Sequence, residues 1–393
     1  MIRSSNEKKT KRRWYPLERT SDVIVVGAGI VGAVLAYLLA HSGRSVRMLD
    51  RGLPGGEASG ARAGLLTTVA EGSGKGPYLD LSVQGLVEMR TIIQQLEDET
   101  GIDCWLECHP LYRIATNEQE RDMMFALYQE RRQLGGQEDW LEPEQVRREQ
   151  PLFSPRITGA MRSPQEYHVT PGLLLKAVLQ AARQRGVIVQ ENTAVTAFLT
   201  EGHRVIGVAA GMEHYYADHV ILANGAWSPN LLKLVGIDLP VTPLRGQMLV
   251  VSLSGFNLPC LINTARGYLV PKKDGRIVVG ATQEHAGYAK EITVAGISHL
   301  LKVLSAVPAL VQARIHDTFV GLRPMSSDGM PLIGPLPGWE GLHVATGHAQ
   351  HGILLSGITG RMMTAYLNGE DPGELWRHFQ VQRVLTCKAE TEV

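Results

Sequence analysis

The chain has 393 residues, 44% of them hydrophobic and 20% charged, with four cysteines. That composition excludes a disordered chain, a collagen-like fibre and a disulfide-stapled miniprotein, and the length predicts two or three domains. Thirty-nine Lys and Arg offset 39 Asp and Glu, a balance that argues against bulk electrostatic binding of nucleic acid.

The zero net charge hides a basic start. Residues 1–20 hold seven basic side chains against two acids, which predicts a solvated, flexible tail or one that docks on an acidic lipid or protein surface. Val23 to Ala40 is an uncharged run of eighteen residues behind Arg12-Arg13, a length that a membrane span or a twin-arginine signal would also show. The punctuation of the run decides against both. Gly27, Gly29 and Gly32 spell G-x-G-x-x-G directly after the β-branched Val23–Val26, and a helical composition follows as far as Gly43. A second strand, Ser45 to Leu49, ends at Asp50, eighteen residues after Gly32. Strand, glycine turn, helix, strand and acid make up a dinucleotide-binding βαβ unit. In such a unit Gly27 permits the tight turn, Gly29 lets backbone approach a pyrophosphate and Gly32 lets helix and strand pack closely. The helix N-terminus offers unpaired N–H groups to phosphates, and Asp50 accepts from a ribose hydroxyl pair.

A glycine-rich loop, Gly52 to Gly64, precedes a predicted helix from Leu79 to Thr100 and a Trp-bearing segment from Cys104 to Ile114. Two charged surface helices are expected within residues 117–150 and a third helix from Pro171 to Arg185. Short strands at Val187–Val189, Val195–Phe198, Val205–Ala209 and His219–Leu222 lead into Ala223-Asn224-Gly225-Ala226. Alternating strands follow at Gln247–Leu253, Gly267–Pro271 and Arg276–Ala281, with a cover helix over Val294–Ser305. Leu342–Thr346 returns to a buried strand, Gly347–Gly352 is a turn, and a last helix runs from Ile353 to Leu367.

The fold class is therefore α/β: a Rossmann-like nucleotide-binding domain with an inserted α+β substrate domain built on an antiparallel sheet. The nucleotide domain is expected at residues 21–85, 160–240 and 329–380, the substrate domain at 86–159 and 241–328, and tails at 1–20 and 381–393. A nucleotide domain completed from the far end of the chain is characteristic of large flavoproteins, which points the cofactor towards FAD. Cys104, Cys108, Cys260 and Cys387 form no disulfide framework; they predict a reducing, cytoplasmic compartment and packing roles. Cys104, Cys108 and His109 are spaced closely enough for a metal, but no second ligand cluster answers them, so no metal is expected.

Four blocks carry a family resemblance: VIVVGAGIVGAVLAYLL with MLDRG; GEASGARAGLL; GYLVPKKDGRIVVGAT; and GLRPMSSDGMPLIG followed by ATGHAQHGILLSGITG. Through them the chain, from Asp22 to Phe379, resembles the FAD-dependent amine oxidoreductases of the D-amino-acid oxidase and sarcosine oxidase group. Within that group it is most similar to the glycine oxidases of thiamine thiazole synthesis. The resemblance implies that Gly27, Gly29, Ile30, Val31, Gly32, Asp50 and Arg51 hold the ADP half of FAD. Ser59, Ala63 and Gly64 lie in the loop that passes the pyrophosphate and flavin ring, Val195 near the adenine, and Ala223, Gly225 and Trp227 in a second FAD-contacting turn. Gly352, Ile353 and Leu354 start the helix that faces the pyrimidine side of the flavin. Arg323 matches the anchor for a substrate carboxylate and Tyr268 a hydroxyl that shares it.

Sarcosine oxidases attach flavin through a cysteine where this chain has Gly321, so the resemblance implies non-covalent FAD. The implied reaction is hydride transfer from Cα of glycine, sarcosine or a related amino acid to flavin N5, giving an oxo acid, ammonia or an amine, and hydrogen peroxide from molecular oxygen. The implied partners are a small amino-acid substrate and, for assembly, a homo-oligomer. The chain departs from the glycine-oxidase pattern at Ala349, Gln350 and His351, and at Leu355-Ser356-Gly357. Those departures keep open a second reading, the flavin subunit of a multi-subunit amino-acid or proline-type dehydrogenase with a hetero-subunit partner. His348 and His351 either titrate near the flavin or are held by hydrogen bonds in a tight turn.

Overall fold

The computed structural model describes residues 16–60, 62–68 and 76–385. Most of the basic tail and Cys387 lie outside the described residues. The opening unit is β1 (Thr20–Val26), α1 (Ile30–His41) and β2 (Val46–Leu49). Next come α2 (Pro77–Thr100), β3 (Glu107–Ala115), α3 (Glu118–Gln133), β4 (Asp139–Leu141), α4 (Pro143–Glu149), β5 (Gly159–His168) and α5 (Pro171–Gln184). Strands β6 (Ile188–Gln190), β7 (Ala197–Glu201), β8 (Arg204–Ala210) and β9 (Glu213–Leu222) lead through the short α6 (Ser228–Leu232) to β10 (Val241–Ser252). Then follow β11 (Leu261–Thr264), β12 (Gly267–Pro271), β13 (Ile277–Gly280), α7 (Val294–Val303), β14 (Arg314–Ser326), β15 (Leu332–Pro335) and β16 (Leu342–Thr346). Helix α8 (Gly352–Asn368) and the short α9 (Trp376–Phe379) and α10 (Gln382–Leu385) close the described chain.

Two sheets organise these elements. In the first, β16, β9, β1, β2 and β6 run parallel in that order, β15 pairs antiparallel at the β16 edge, and β7 and β8 extend the first half of β9 as antiparallel strands. Val23, Ile24 and Val25 of β1 are wholly buried, as expected of a strand covered on both faces. One face packs under α1, α2, α5 and α8, where Leu35, Leu39, Met89, Ile92, Leu174, Leu354 and Met363 form one core. The register pairs Val26 with both Leu49 and Leu222. The carboxyl ends of three strands therefore finish together, at Gly27, Asp50 and Ala223, where ligands bind in open parallel sheets.

The second sheet has the order β14-β10-β13-β12-β11-β3-β5-β4. It is antiparallel except at β3 and β11, which run parallel. Its outer face is covered by α7, with Leu300, Val303 and Leu304 packed on Leu249, Ile262 and Val279.

Three placements differ from the expected boundaries. Helix α2, whose Met89, Ile92, Ile93 and Leu96 lie in the first core, belongs with the nucleotide domain, whereas the sequence pattern expects residues 86–100 in the substrate domain. Strand β5 pairs with β3 and β4 in the second sheet, whereas the sequence pattern expects residues from 160 onward in the nucleotide domain. Pro164 hides it in the sequence, and the register shift opposite His109 and Leu111 accommodates that proline as a bulge. Residues 381–385 are no free tail: Val381 is fully buried and Arg383 donates to Asp328. Strand β14 was also not expected. Its first five residues are exposed and it carries Pro324, which an edge strand tolerates.

Candidate active site

The first cavity, about 270 Å³, opens at the shared strand ends. Gly27, Gly29, Ile30, Val31, Asp50, Arg51, Ser59, Val195, Ala223, Gly225, Trp227 and Gly352 all line it. Gly27 has φ +107°, and a Cβ there would lie 2.6 Å from the Ala223 carbonyl oxygen. A Cβ on Gly32 would sit 2.1 Å from the Gly27 carbonyl oxygen, so this residue sets the approach of α1 to β1 without lining the cavity. The Asp50 carboxylate accepts from Ala28 N–H at 2.6 Å and Gly52 N–H at 2.9 Å. Each of its oxygens keeps a lone pair that can accept from a ribose hydroxyl. Ser59 Oγ accepts from Ile30 N–H at 2.9 Å and caps α1. The Arg51 guanidinium lies 3.8 Å over the Trp227 ring, a flat stacked wall on one side of the cradle.

The second cavity, about 460 Å³, lies against the inner face of the second sheet. Arg323 of β14, Tyr268 of β12 and Met248 of β10 form its ceiling, and Ala63, Gly64 and Ile353 face them. Arg323 Nη1 donates to the Thr282 carbonyl oxygen at 3.0 Å. The Tyr268 hydroxyl donates to Met248 Sδ at 3.5 Å and is pushed up from its ordinary pKa, first by burial. Two glycines missed in the sequence make room for these groups. A Cβ on Gly246 would fall 2.5 Å from Arg323 Nη2, and one on Gly280 would fall 2.6 Å from the Tyr268 ring. Leu354 lines neither cavity; it is fully buried in the core under α8.

Arg62, also unrecognised in the sequence, lines both cavities and marks their border. Its Nε donates to Ala58 O at 2.9 Å, Nη1 to Gln350 O at 2.7 Å and Nη2 to Ala349 O at 2.9 Å. The guanidinium thus ties the loop after β2 to the turn before α8. Burial and the charge of Arg323 lower its pKa to about 10, so it stays protonated at pH 7. A lone charge between two alanines in GARAG was the available signal. Lys272 gave none. It is 9% exposed, and its Nζ donates to Ala63 O at 2.6 Å and Val169 O at 2.8 Å, fixing the same loop from beneath.

His348 and His351 are both buried. His348 Nε2 pairs with Thr359 Oγ1 at 3.0 Å and His351 Nδ1 with the Tyr78 hydroxyl at 2.6 Å. Burial, then the charge of Arg62, push them down to about 3 and about 4. They are neutral at pH 7, held by side chains from α8 and α2. Away from both cavities, Cys104 is buried in the first core and Cys108 is exposed on β3. Glu107, His109 and His168 bring ligand atoms within 4.8 Å of one another. Lys272 Nζ lies 3.5 Å from His168 Nδ1 behind that cluster, and burial lowers its pKa to about 7.

A βαβ cradle whose far end borders a separate chamber under another sheet is the arrangement of a dinucleotide-dependent oxidoreductase, where redox ring and substrate must share a boundary. The glycine-walled approach, the ribose acceptor and the capped helix start fit such a dinucleotide. The chain belongs to the family of FAD dependent oxidoreductases, whose model matches residues 22–366, and FAD is its cofactor. Glycine oxidase of Geobacillus kaustophilus is 32% identical over 368 residues, covering 91% of this chain and 97% of the relative. The crystal structure of that enzyme superposes with a TM-score of 0.89 over 93% of this chain and 99% of its own. Iminodiacetate oxidase from Chelativorans sp. BNC1 has a TM-score of 0.83 at 25% identity, covering 91% of this chain and 98% of its own. Hydrogen cyanide synthase subunit HcnC of Pseudomonas aeruginosa is 29% identical over 394 residues, covering 90% of this chain and 94% of the relative.

Proposed function

We propose that this oxidoreductase oxidises the C–N bond of a small amino acid held by its carboxylate. The observation that carries the reading is that Arg323 and Tyr268 share one chamber, which borders the nucleotide cradle at Arg62. A guanidinium offers a planar fork of donors matched to a carboxylate and keeps its proton. Arg323 spends one Nη1 donor on Thr282 O, which fixes the orientation of the rest. The Tyr268 hydroxyl, kept protonated by burial, can turn from Met248 to the same carboxylate.

When bound, FAD supplies a two-electron acceptor. Oxidation removes hydrogen from the carbon next to nitrogen with two electrons, and the nitrogen lone pair closes the C=N bond. Water then adds and C–N breaks, giving an oxo acid and ammonia or an amine. The lone pair must be free, so the amine has to arrive unprotonated. His351, the histidine of the chamber nearest Arg62's carbonyl partners, is too weak a base at about 4 to take that proton. The other histidine lining the chamber, His299, is held by its Nε2 on the Arg266 carbonyl oxygen at 2.7 Å; we assign deprotonation to solvent before binding, and the protein's part is position and field. Ala63, Gly64 and the start of α8 wall the chamber, and Lys272 and Arg62 hold them in place.

The similarity to glycine oxidases supports glycine and small N-substituted glycines as substrates, with molecular oxygen as the acceptor. Anaerobic mixing of the purified yellow holoenzyme with glycine, sarcosine and other small amino acids tests this. Bleaching of the flavin, then recovery with hydrogen peroxide on admitting air, is expected. A flavin that no amino acid bleaches overturns the reading. A second reading, a dehydrogenase subunit passing electrons to a partner, is favoured by the match to HcnC and by Ala349 and Gln350 at the flavin-side turn. Bleaching without peroxide on aeration would select it.

A further inference from the structure

The substrate chamber carries more positive charge than one carboxylate answers. Arg62, Arg266 and Arg323 line it, and among the described residues no Asp or Glu does. Arg266 is exposed and its charge is felt by Glu120 of α3. The hydrogen bonds of Arg62 and Arg323 go to carbonyl oxygens and, for Arg323, also to the Tyr268 hydroxyl, and among the described residues no carboxylate pairs with either. Arg62 feels the charge of Arg323 instead, and Tyr268, raised first by burial, stays a protonated phenol in the same chamber. His351 is neutral at pH 7 and adds nothing to the balance.

Two guanidiniums in one partly dry chamber repel, and a ligand with two negative charges relieves that repulsion where a single carboxylate leaves half of it. The donors are available. Of the five N–H groups of a guanidinium, Arg62 uses one on each nitrogen for Ala58, Gln350 and Ala349, so Nη1 and Nη2 each keep one. Small residues, Ala58, Ala63, Gly64 and Thr67, line the same chamber and leave room for a second carboxylate.

We infer that the preferred substrate is an amino dicarboxylate, one carboxylate held by Arg323 and Tyr268 and the other by Arg62. The inference rests on the proposed amino-acid oxidation and names its substrate class. The second carboxylate stands either on the nitrogen, as in N-carboxymethyl amino acids, or on a Cα side chain, as in aspartate. In the first case oxidation and hydrolysis give an oxo acid and an amino acid that keeps the other carboxylate; in the second they give an oxo diacid and ammonia. In both, the two electrons leave to bound FAD and then to dioxygen or another acceptor.

The test uses holoenzyme and matched pairs in anaerobic flavin reduction: iminodiacetate against sarcosine, and D- and L-aspartate against D- and L-alanine. One dicarboxylate is expected to exceed its monocarboxylate match by about tenfold or more in reduction rate over Kd. The pair that shows it locates the second carboxylate. In Arg62→Gln, checked for bound FAD by its visible spectrum, the preference collapses, and Arg62→Lys restores part of it. Should Arg62→Gln lose the flavin, wild-type enzyme still decides. Oxydiacetate, which has no oxidisable amine, should perturb the flavin spectrum with a Kd about tenfold or more below that of methoxyacetate. Equal treatment of each pair, or a preference that survives Arg62→Gln, overturns the inference and leaves amino-acid oxidation standing. If no mono- or dicarboxylic amino acid bleaches the flavin, both fall.

Discussion

The two cavities are walled by different kinds of chain. Around the cradle, the turn Gly27 to Gly32, the acid Asp50 and the cap Ser59 come from one short stretch, and the contacts they offer are mostly backbone. Around the chamber, Arg62, Tyr268, Arg323 and His351 come from four distant segments, and what they offer is side-chain charge and hydroxyl. The first arrangement recognises what every dinucleotide shares, a pyrophosphate and a ribose. The second, in the proposed reaction, would recognise what distinguishes one substrate from another. Cofactor binding and substrate choice should therefore fail separately when each wall is changed.

The sharpest separation is expected at Arg323. Arg323→Ala should retain FAD but lower kcat/KM for a carboxylate substrate by about 2–4 kcal/mol of transition-state binding, some 30- to 1000-fold. Near-normal turnover would remove the clamp. Gly27→Ala should do the reverse. Its methyl would meet the Ala223 carbonyl at 2.6 Å with φ at +107°. A cost of about 2 kcal/mol is expected, read as colourless protein after purification and a lower Tm, while any flavin-loaded fraction keeps its substrate preference. Gly246→Ala offers a finer probe, because it displaces the Arg323 guanidinium without removing it. About a tenfold rise in KM with unchanged FAD content is the expected result; an unchanged KM would show that the guanidinium moves freely.

The smallest effect concerns acid. His348 and His351 are neutral in the folded protein down to about 3 and about 4, whereas an unfolded histidine takes its proton near pH 6.5. Below that pH the unfolded state binds more protons, so stability falls as the pH drops from 6.5 towards 4. At pH 5.5 each ring should cost about 1 kcal/mol relative to neutral pH. Urea unfolding of wild type and His351→Gln at pH 7.5 and 5.5 checks this, and the variant should lose less on acidification. An identical loss would mean that His351 is not buried as a neutral ring.

The contrast between the cavities also explains what could be read in advance. Gly27, Gly29, Gly32 and Asp50 were legible because strand, turn and helix periods change within a few residues of one another. Arg323 and Tyr268 had no local signature; a family resemblance placed them, and the β10–β14 and β12–β13 pairings bring them to one face. Arg62, Lys272, Gly246 and Gly280 act through contacts with segments far along the chain, which no local pattern encodes. Strands β5 and β14 escaped for a simpler reason, since proline and exposed polar residues break the alternation that marks a strand. Boundaries followed the same rule: α2 has a clear helical pattern, but nothing in that pattern says which sheet it covers.

The central claim is that the carboxylate, not the amine alone, brings the substrate to the cofactor. Stopped-flow anaerobic reduction of the holoenzyme by glycine and by glycinamide, which lacks only the carboxylate charge, tests it most directly. Glycine should reduce the flavin at least about a hundredfold faster at equal concentration of neutral amine. Equal rates for the two compounds would contradict the account.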